Sequence, residues 1–378
     1  MIRIDEIYNH TFWPWLEKNR PGTRMFFCDP PGHTDPEHLF NHGHYDSWEK
    51  DYIFFHDQEP VDINLYKSLF DEVAEVGPRG LGWELKEDKW IQHFSTPENI
   101  GHIVVSERGE MVEKLCEHYG WTSHYYFYHG WACLDWFRGY DKTFLIPRAQ
   151  ERAPVQTFMS PNRIIGGQRD HRVLFLYHVF KKGLGHNNIT VPKICPYENI
   201  DICSVSVKYC NTYPDIMQVF DQAKLPRLFS NEATQQMTSC WLTNFSEAQN
   251  SLVYVPTETV YFGSRTHITE KTFKAIALEM PFVLVASAGS LEYLREYGFQ
   301  TFDGILDESY DTETDDMRRV ERVAQLLKDL DNLSVRERQQ IHRACSSRVQ
   351  HNYNHFYRGG LADTLWSELG QMLEGLRV

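Results

Sequence analysis

No stretch of this chain approaches the ~18–20 consecutive apolar residues of a membrane-spanning helix, so no span is expected. The N-terminus, MIRIDEIYNHTFWPW, lacks the apolar core of a secretion signal, and none is expected. Cysteines never fall into CxxC spacing: Cys28, Cys116, Cys133, Cys195, Cys203, Cys210, Cys240 and Cys345 are scattered along the chain. They read as reduced, mostly buried thiols of a cytoplasmic protein rather than as a disulfide framework. Positive charge is also short. Lys and Arg number 38 against 52 Asp and Glu, a net charge of −14. That field argues against non-specific binding to nucleic acid or to acidic membranes, and leaves room only for a local basic cleft. Repeats of solenoid period and low-complexity tracts are absent from the sequence as well.

What is present points to a two-domain α/β enzyme. At 378 residues the chain exceeds the ~250–300 that one core usually supports. Short apolar runs end repeatedly in polar loops, with helical segments between them, as in parallel sheets. Arg24–Cys28, Asp51–Phe55, His102–Ser106 and Tyr125–Tyr128 are expected to be strands, with a helix through Glu110–His118. In the second half Ile202–Val207, Leu252–Pro256, Phe282–Ala286 and Phe299–Phe302 are expected strands, and Arg172–Phe180 and Ile216–Ala223 expected helices. The acidic run Asp307–Asp316 reads as a loop, followed by amphipathic helices over Met317–Leu330, Val335–Tyr353 and Leu361–Leu376. The proline-bearing stretch Pro147–Pro161 reads as the linker. Two such sheets in tandem place ligands at the carboxyl ends of their strands, in a crevice between domains.

Thr266–Ala286, THITEKTFKAIALEMPFVLVA, is the most informative stretch. Thr269 is a natural N-cap, and Phe273, Ile276, Ala277 and Met280 fall on one apolar helical face. Pro281 is expected to stop that helix before a buried parallel strand. Lys271 stands in the first turn, where the helix dipole disfavours a cation by a few tenths to ~1 kcal/mol. A bound anion would remove that cost, and Glu270 beside it could accept hydrogen bonds from sugar or ribose hydroxyls. The plainer alternative is a solvated Glu-Lys pair.

Four further groupings carry chemistry. His56-Asp57-Gln58-Glu59-Pro60 follows an apolar strand, and Pro60 restricts the backbone of Glu59. A partly buried Glu59 would suit a general base, with Asp57 and His56 as alternates, whereas a capping loop is the structural alternative. Asn162-Arg163 and His171-Arg172 flank a loop containing Gly166 and Gly167 and could clamp a pyrophosphate, or lie on an ordinary surface. His33, His38, His42 and His44 sit in a Pro/Gly-rich loop without a regular scaffold, which favours solvated histidines over a metal site. The aromatic run Trp121–Trp136 is expected to be mostly core, with His129 and Gly130 at a strand end facing the cleft.

Glu258-Thr259, then His267-Ile268-Thr269-Glu270-Lys271-Thr272-Phe273-Lys274, then Pro281-Phe282, resembles the donor-binding segment of GT-B glycosyltransferases. The likeness is to the fucosyltransferase-like branch, in which a Thr-Glu-Lys helix start holds the nucleotide sugar. Phe55–Pro60, Asn162-Arg163 and His171-Arg172 also resemble uncharacterised glycosyltransferases of tailed phages. The resemblance implies two Rossmann-like domains facing a cleft: an acceptor domain over 1–155, a donor domain over 156–350, and a C-terminal helix over 351–378 packing back. It implies Glu270 on the donor hydroxyls, with Lys271 and Arg172 at its diphosphate, and Arg163 and Glu258 are expected as further donor-binding residues. Glu59 would stand where such enzymes carry their base. Asp29 and His129, at the ends of apolar runs, are expected on the acceptor side.

The expected reaction is direct, inverting displacement at the anomeric carbon of a nucleoside-diphosphate sugar. A carboxylate takes the proton of the acceptor hydroxyl, and cationic groups stabilise the departing diphosphate. No cofactor or catalytic metal is expected beyond the nucleotide-sugar co-substrate. The acceptor is expected to be a glycan or a hydroxymethylated base of viral DNA, the latter requiring a basic groove and a flipped base. The setting would be cytoplasmic, the host cytoplasm for a viral protein. A non-catalytic sugar-binding or assembly protein is the reading from another class.

Overall fold

The computed structural model describes residues 3–21, 23–27, 52–63, 83–86, 89–92, 100–140, 152–196, 198–229 and 240–377. Asp29 and the histidines at 33, 38, 42 and 44 lie outside them. The chain divides into two compact units: one of 1–135 with 362–378, the other of 136–361. Both are α/β and contain parallel sheets.

The first unit begins with helices α1 (Ile4–Ile7) and α2 (Trp13–Asn19), joined by a π turn over Tyr8–Phe12. Its strands are β1 (Arg24–Phe27), β2 (Tyr52–His56), β3 (Trp83–Lys86), β4 (Lys89–Gln92), β5 (Ile100–Val105) and β6 (Thr122–Tyr125). Their spatial order is β4-β3-β1-β2-β5-β6. The pairs β1–β2, β2–β5 and β5–β6 are parallel, while β3 and β4 form an antiparallel hairpin beside β1. Alternation along β2 sends adjacent residues to opposite faces. Phe54 joins the cluster of Ile103, Val105, Leu115 and Trp121 around α3 (Glu110–Tyr119). Phe55 meets Phe12 edge-on at 5.2 Å and Tyr8 at 6.0 Å. Helix α4 (Tyr128–Trp136) follows β6, and the end of the chain returns to this unit, where Trp366 packs edge-on to Trp131 at 4.6 Å.

The second unit has β7 (Gln156–Ser160), α5 (His171–Lys181), β8 (Asn188–Ile189), α6 (Ile202–Ser206), α7 (Ile216–Gln222), α8 (Phe245–Asn250) and β9 (Ser251–Tyr254). Then come α9 (Glu270–Ala277), α10 (Ser290–Glu296), α11 (Asp316–Asp331), α12 (Val335–Tyr357) and α13 (Gly360–Gly375), which belongs to the first unit from residue 362 onward. Strand β7 is central and pairs in parallel with β9 on one side and β8 on the other. Beyond β9 the segment 282–285 adds two parallel bridges, Tyr254 to Phe282 and Thr257 to Val285. The spatial order is therefore 282–285, β9, β7, β8. The chain moves one way from β7 to β8, then returns to the opposite side for β9. The carboxyl ends of β7 and β9 thus flank the topological switch point, where open α/β sheets bind ligands. Helix α5 is buried from His171 to Val179, as a helix beneath such a sheet must be.

Several expected elements are corrected. Tyr125–Tyr128 is not a strand: the strand lies three residues earlier, and Tyr128 already starts α4, because Tyr126 N donates to Val105 O and Tyr128 N to Tyr126 O in a tight turn. The segment Ile202–Val207 is helical, since Asp201 caps it by accepting from Cys203 N at 2.8 Å. Pro147–Pro161 is not all linker, because it contains β7. Helix α9 ends at Ala277, before Pro281, and Phe282–Ala286 is bridged rather than a continuous strand. Extended Phe299–Phe302 pairs with side chains instead: Gln300 N donates to Asn352 Oδ1 (2.7 Å), and Asn352 Nδ2 donates to Gln300 O (2.8 Å).

Candidate functional site

In the second unit the polar residues at the switch point form one connected network. Asn162, just beyond β7 and fully buried, donates through Nδ2 to Ser160 O and Ser160 Oγ, both at 3.1 Å. Its backbone N–H donates to Thr190 Oγ1 beyond β8 at 2.8 Å, and its Oδ1 accepts from Thr257 Oγ1 beyond β9 at 2.9 Å. One asparagine therefore ties three strand ends together. The loop after β9 is held again by α5: Arg172 donates to Thr257 O (2.9 Å), Glu258 O (3.3 Å) and Ile164 O (2.8 Å), and His171 Nε2–H to Glu258 O (3.0 Å).

Glu258 is completely buried. A buried carboxylate is tolerable only when its oxygens are hydrogen-bonded. Thr269 Oγ1 and Thr272 Oγ1 each donate to it at 2.5 Å, so the carboxylate braces the start of α9. Thr269 is the expected N-cap, accepting from Lys271 N at 3.5 Å. The same hydroxyl accepts from Lys271 Nζ at 2.8 Å, and that ammonium also donates to Thr259 Oγ1 at 3.1 Å and pairs with Glu270 Oε1 at 3.1 Å. Lys271 is thus folded back over the N-terminus of its own helix, with its side chain 25% exposed and that of Glu270 12%. A ligand can reach both.

Arg172 is only 3% exposed, and burial followed by the neighbouring Arg169 guanidinium lowers its pKa to about 10. Two guanidinium groups within electrostatic reach of each other favour an anion nearby. Among the described residues the Nε–H of Arg172 meets no acceptor. Because its other nitrogens hold backbone carbonyls, Arg172 chiefly positions the loop after β9, while half-buried Arg163 and Arg169 keep more of their surface. The structure therefore brings Arg172, Glu258, Glu270 and Lys271 into one network, and Arg163 adjoins it through Asn162 and Ile164. Sequence reasoning missed Arg169 and Thr257, and it included Thr259 and Thr272 in the resembling segment without giving them a role. The strand–Gly-Gly–helix order around 156–171 is the signal that could have found Arg169.

In the first unit the His56–Pro60 loop leaves the carboxyl end of β2. Its backbone is pinned at successive points. Ser106 Oγ donates to Asp57 O at 2.6 Å, and His129 Nε2–H to Gln58 O at 2.9 Å. His56 Nε2–H donates to Pro60 O at 3.2 Å, and Val61 N–H to Glu107 Oε2 at 2.9 Å. Asp57 is 1% exposed and accepts a short hydrogen bond from Tyr8 Oη. Burial, then the Asp57 charge, raises the Tyr8 hydroxyl well above its usual pKa, so it stays a donor.

Glu59 is exposed, not partly buried as expected, because the turn directs the carboxylate of Asp57 inward instead. His129 lies in the first turn of α4, not at a strand end, and is buried with its Nε2 committed to the loop. Tyr8, Ser106 and Glu107 were invisible from sequence, being remote in the chain from the loop they hold.

Among the described residues no three His, Cys, Asp or Glu side chains are grouped to hold a metal ion, and no helix is long and apolar enough to cross a membrane. Cys116, Cys133, Cys195, Cys203, Cys210, Cys240 and Cys345 are free thiols. No protein-family model matches the chain, and no curated protein matches it either.

Proposed function

We propose that the chain is a GT-B glycosyltransferase, its second unit binding a nucleoside-diphosphate sugar and its first supplying the acceptor side and the base. The observation that carries this reading is the meeting, at the switch point of the second sheet, of the Glu270-Lys271 helix start with the Arg169/Arg172 pair. Helix N–H groups, an ammonium and guanidinium groups at one switch point suit a diphosphate. Glu270 suits the hydroxyls that such a donor carries.

In the proposed reaction the acceptor oxygen forms a bond to the anomeric carbon as the bond from that carbon to the phosphate oxygen breaks. The bonding pair leaves with the nucleoside diphosphate, whose charge Lys271 and the arginines stabilise. Glu59 takes the acceptor proton. It is preferred to Asp57, which is sealed beneath Tyr8, and to His56, which is buried. The hydrogen bonds to Asp57 O, Gln58 O and Pro60 O hold the backbone on either side of exposed Glu59.

Thermal-shift titration with UDP, GDP, CDP and ADP, followed by hydrolysis assays with the matching nucleotide sugars, tests the reading. One nucleotide should raise the melting temperature, and its sugar conjugate should be slowly hydrolysed. A protein indifferent to all four would lack the proposed activity.

A further inference from the structure

Strand β7, helix α5 and parallel strand β8 form a strand–helix–strand unit whose first turn contains Gly166 and Gly167. Gly167 adopts φ +57°, a left-handed conformation that favours glycine. Gly166, at φ −94° and ψ −178°, has no such backbone need. A Cβ there would stand 2.9 Å from Glu198 Oε2 and 3.3 Å from Oε1, so any side chain at this position would displace that carboxylate. A Cβ on Gly167 would stand 3.5 Å from Oε1. The carboxylate of Glu198 therefore lies directly against the glycine turn.

Glu198 arrives there from the segment after β8. Asn199 N donates to Cys195 O (3.0 Å) and Cys195 N to Ile200 O (2.8 Å), and Asn199 takes φ +53° to close the turn. The buried Cys195 thiol donates to Glu198 Oε2 in a short contact, and Cys195 is also within electrostatic reach of Arg172. Arg172 is in turn within reach of Arg169, Glu258 and Glu270. The neighbourhood of the guanidinium pair thus holds two ligand-accessible carboxylates from different elements, Glu270 at the start of α9 and exposed Glu198 at the glycine turn.

In dinucleotide-binding units of this strand–glycine turn–helix–strand form, phosphate sits at the turn and an acidic residue beyond the second strand accepts from ribose hydroxyls. Ionised carboxylate oxygens only accept, so a vicinal diol, which offers two donors, is their natural partner.

Resting on the glycosyltransferase reading, we infer that Glu198 binds the ribose hydroxyls of the donor nucleotide and selects ribonucleotides over their 2′-deoxy counterparts. This leaves Glu270 for the transferred sugar. Discrimination by such a group is steep because loss of the hydroxyl leaves the charged acceptor unpaired.

The test is calorimetric titration of the whole protein with the ribonucleoside diphosphate that binds best among UDP, GDP, CDP and ADP, and with its 2′-deoxy analogue. Wild-type protein should bind the deoxy analogue about tenfold or more weakly, the scale of a hydrogen bond to a charged group. In Glu198→Gln the ribonucleotide should weaken by a similar factor, and the ratio of the two affinities should fall towards one. Gly166→Ala, which the backbone tolerates, should shift the Glu198 carboxylate and collapse the same ratio with Glu198 present. An undiminished ratio in both variants, with either melting temperature within a degree or so of wild type, would overturn the ribose assignment while leaving the donor site standing. Failure of wild-type protein to bind any of the four nucleotides would overturn both.

Discussion

Lys271 and Glu59 carry opposite kinds of risk to a binding site. The Lys271 ammonium already has oxygen partners in Thr259, Thr269 and Glu270, so it is ordered before any ligand arrives. Pre-ordering reduces the entropy lost on binding. In Lys271→Ala the affinity for the nucleoside diphosphate is expected to drop by ~1.5–3 kcal/mol, the scale of a charge-assisted hydrogen bond. Titration calorimetry reads this directly, and an unchanged affinity with the fold intact would remove Lys271 from the site. Glu59 is exposed on a loop with a held backbone, so its substitution should leave the fold alone. Glu59→Gln keeps shape and hydrogen bonding but removes proton acceptance. Turnover should fall ~100-fold or more with donor affinity near normal, in line with general-base contributions. Near-normal turnover would instead hand the role to another group, and equal losses of binding and turnover would mark Glu59 as structural.

Helix α9 shows what local sequence can and cannot convey. Its N-cap, its apolar face and its first-turn lysine were all legible, because capping and helical periodicity act within a few residues. The role of Glu258 was not, since a buried carboxylate beneath a helix start depends on a strand end that only the folded sheet supplies. Strand β6 was displaced in the reading for a related reason. Thr122 and Ser123 are exposed at one end of the described sheet, so their hydropathy hides a strand, whereas the neighbouring aromatic residues are core. Central β7 was hidden by Pro154 and Pro161, which lie just outside it. The brace beneath α9 yields a stability prediction. Thr272→Ala removes one donor from a fully buried carboxylate and should cost ~1–3 kcal/mol. Thr269→Ala removes a donor and the N-cap together and should cost a further ~1 kcal/mol. Denaturant unfolding of the two variants decides it. Equal or negligible losses would mean that Glu258 finds other partners.

Across the whole molecule, buried imidazoles set the response to acid. Burial lowers the pKa of His124, His178 and His342 from 6.5 to about 4 and also lowers those of His102, His171 and His355. These groups come from both units. Between 6.5 and their folded values the unfolded chain binds the protons that the folded chain refuses, so stability must fall as pH falls through that window. Each proton of difference is worth about 1.4 kcal/mol per pH unit. Two carboxyls act the other way. Burial raises Asp311 from 3.8 to about 6 and also raises Glu308, so the fold gains from their protonation as pH falls. Among the described residues six imidazoles oppose two carboxyls, and the imidazoles should prevail. Carboxylates held low by hydrogen bonds, such as those of Asp307 and Glu337, add a further loss only below about 4.5, where they begin to protonate in the unfolded chain. Thermal unfolding at constant ionic strength should therefore show a midpoint that declines steadily from pH 7 to pH 4.5. In His178→Gln and His342→Gln the decline should be shallower, whatever their starting midpoints. A midpoint that stayed level or rose on acidification would overturn the dominance of the imidazoles over the two raised carboxyls.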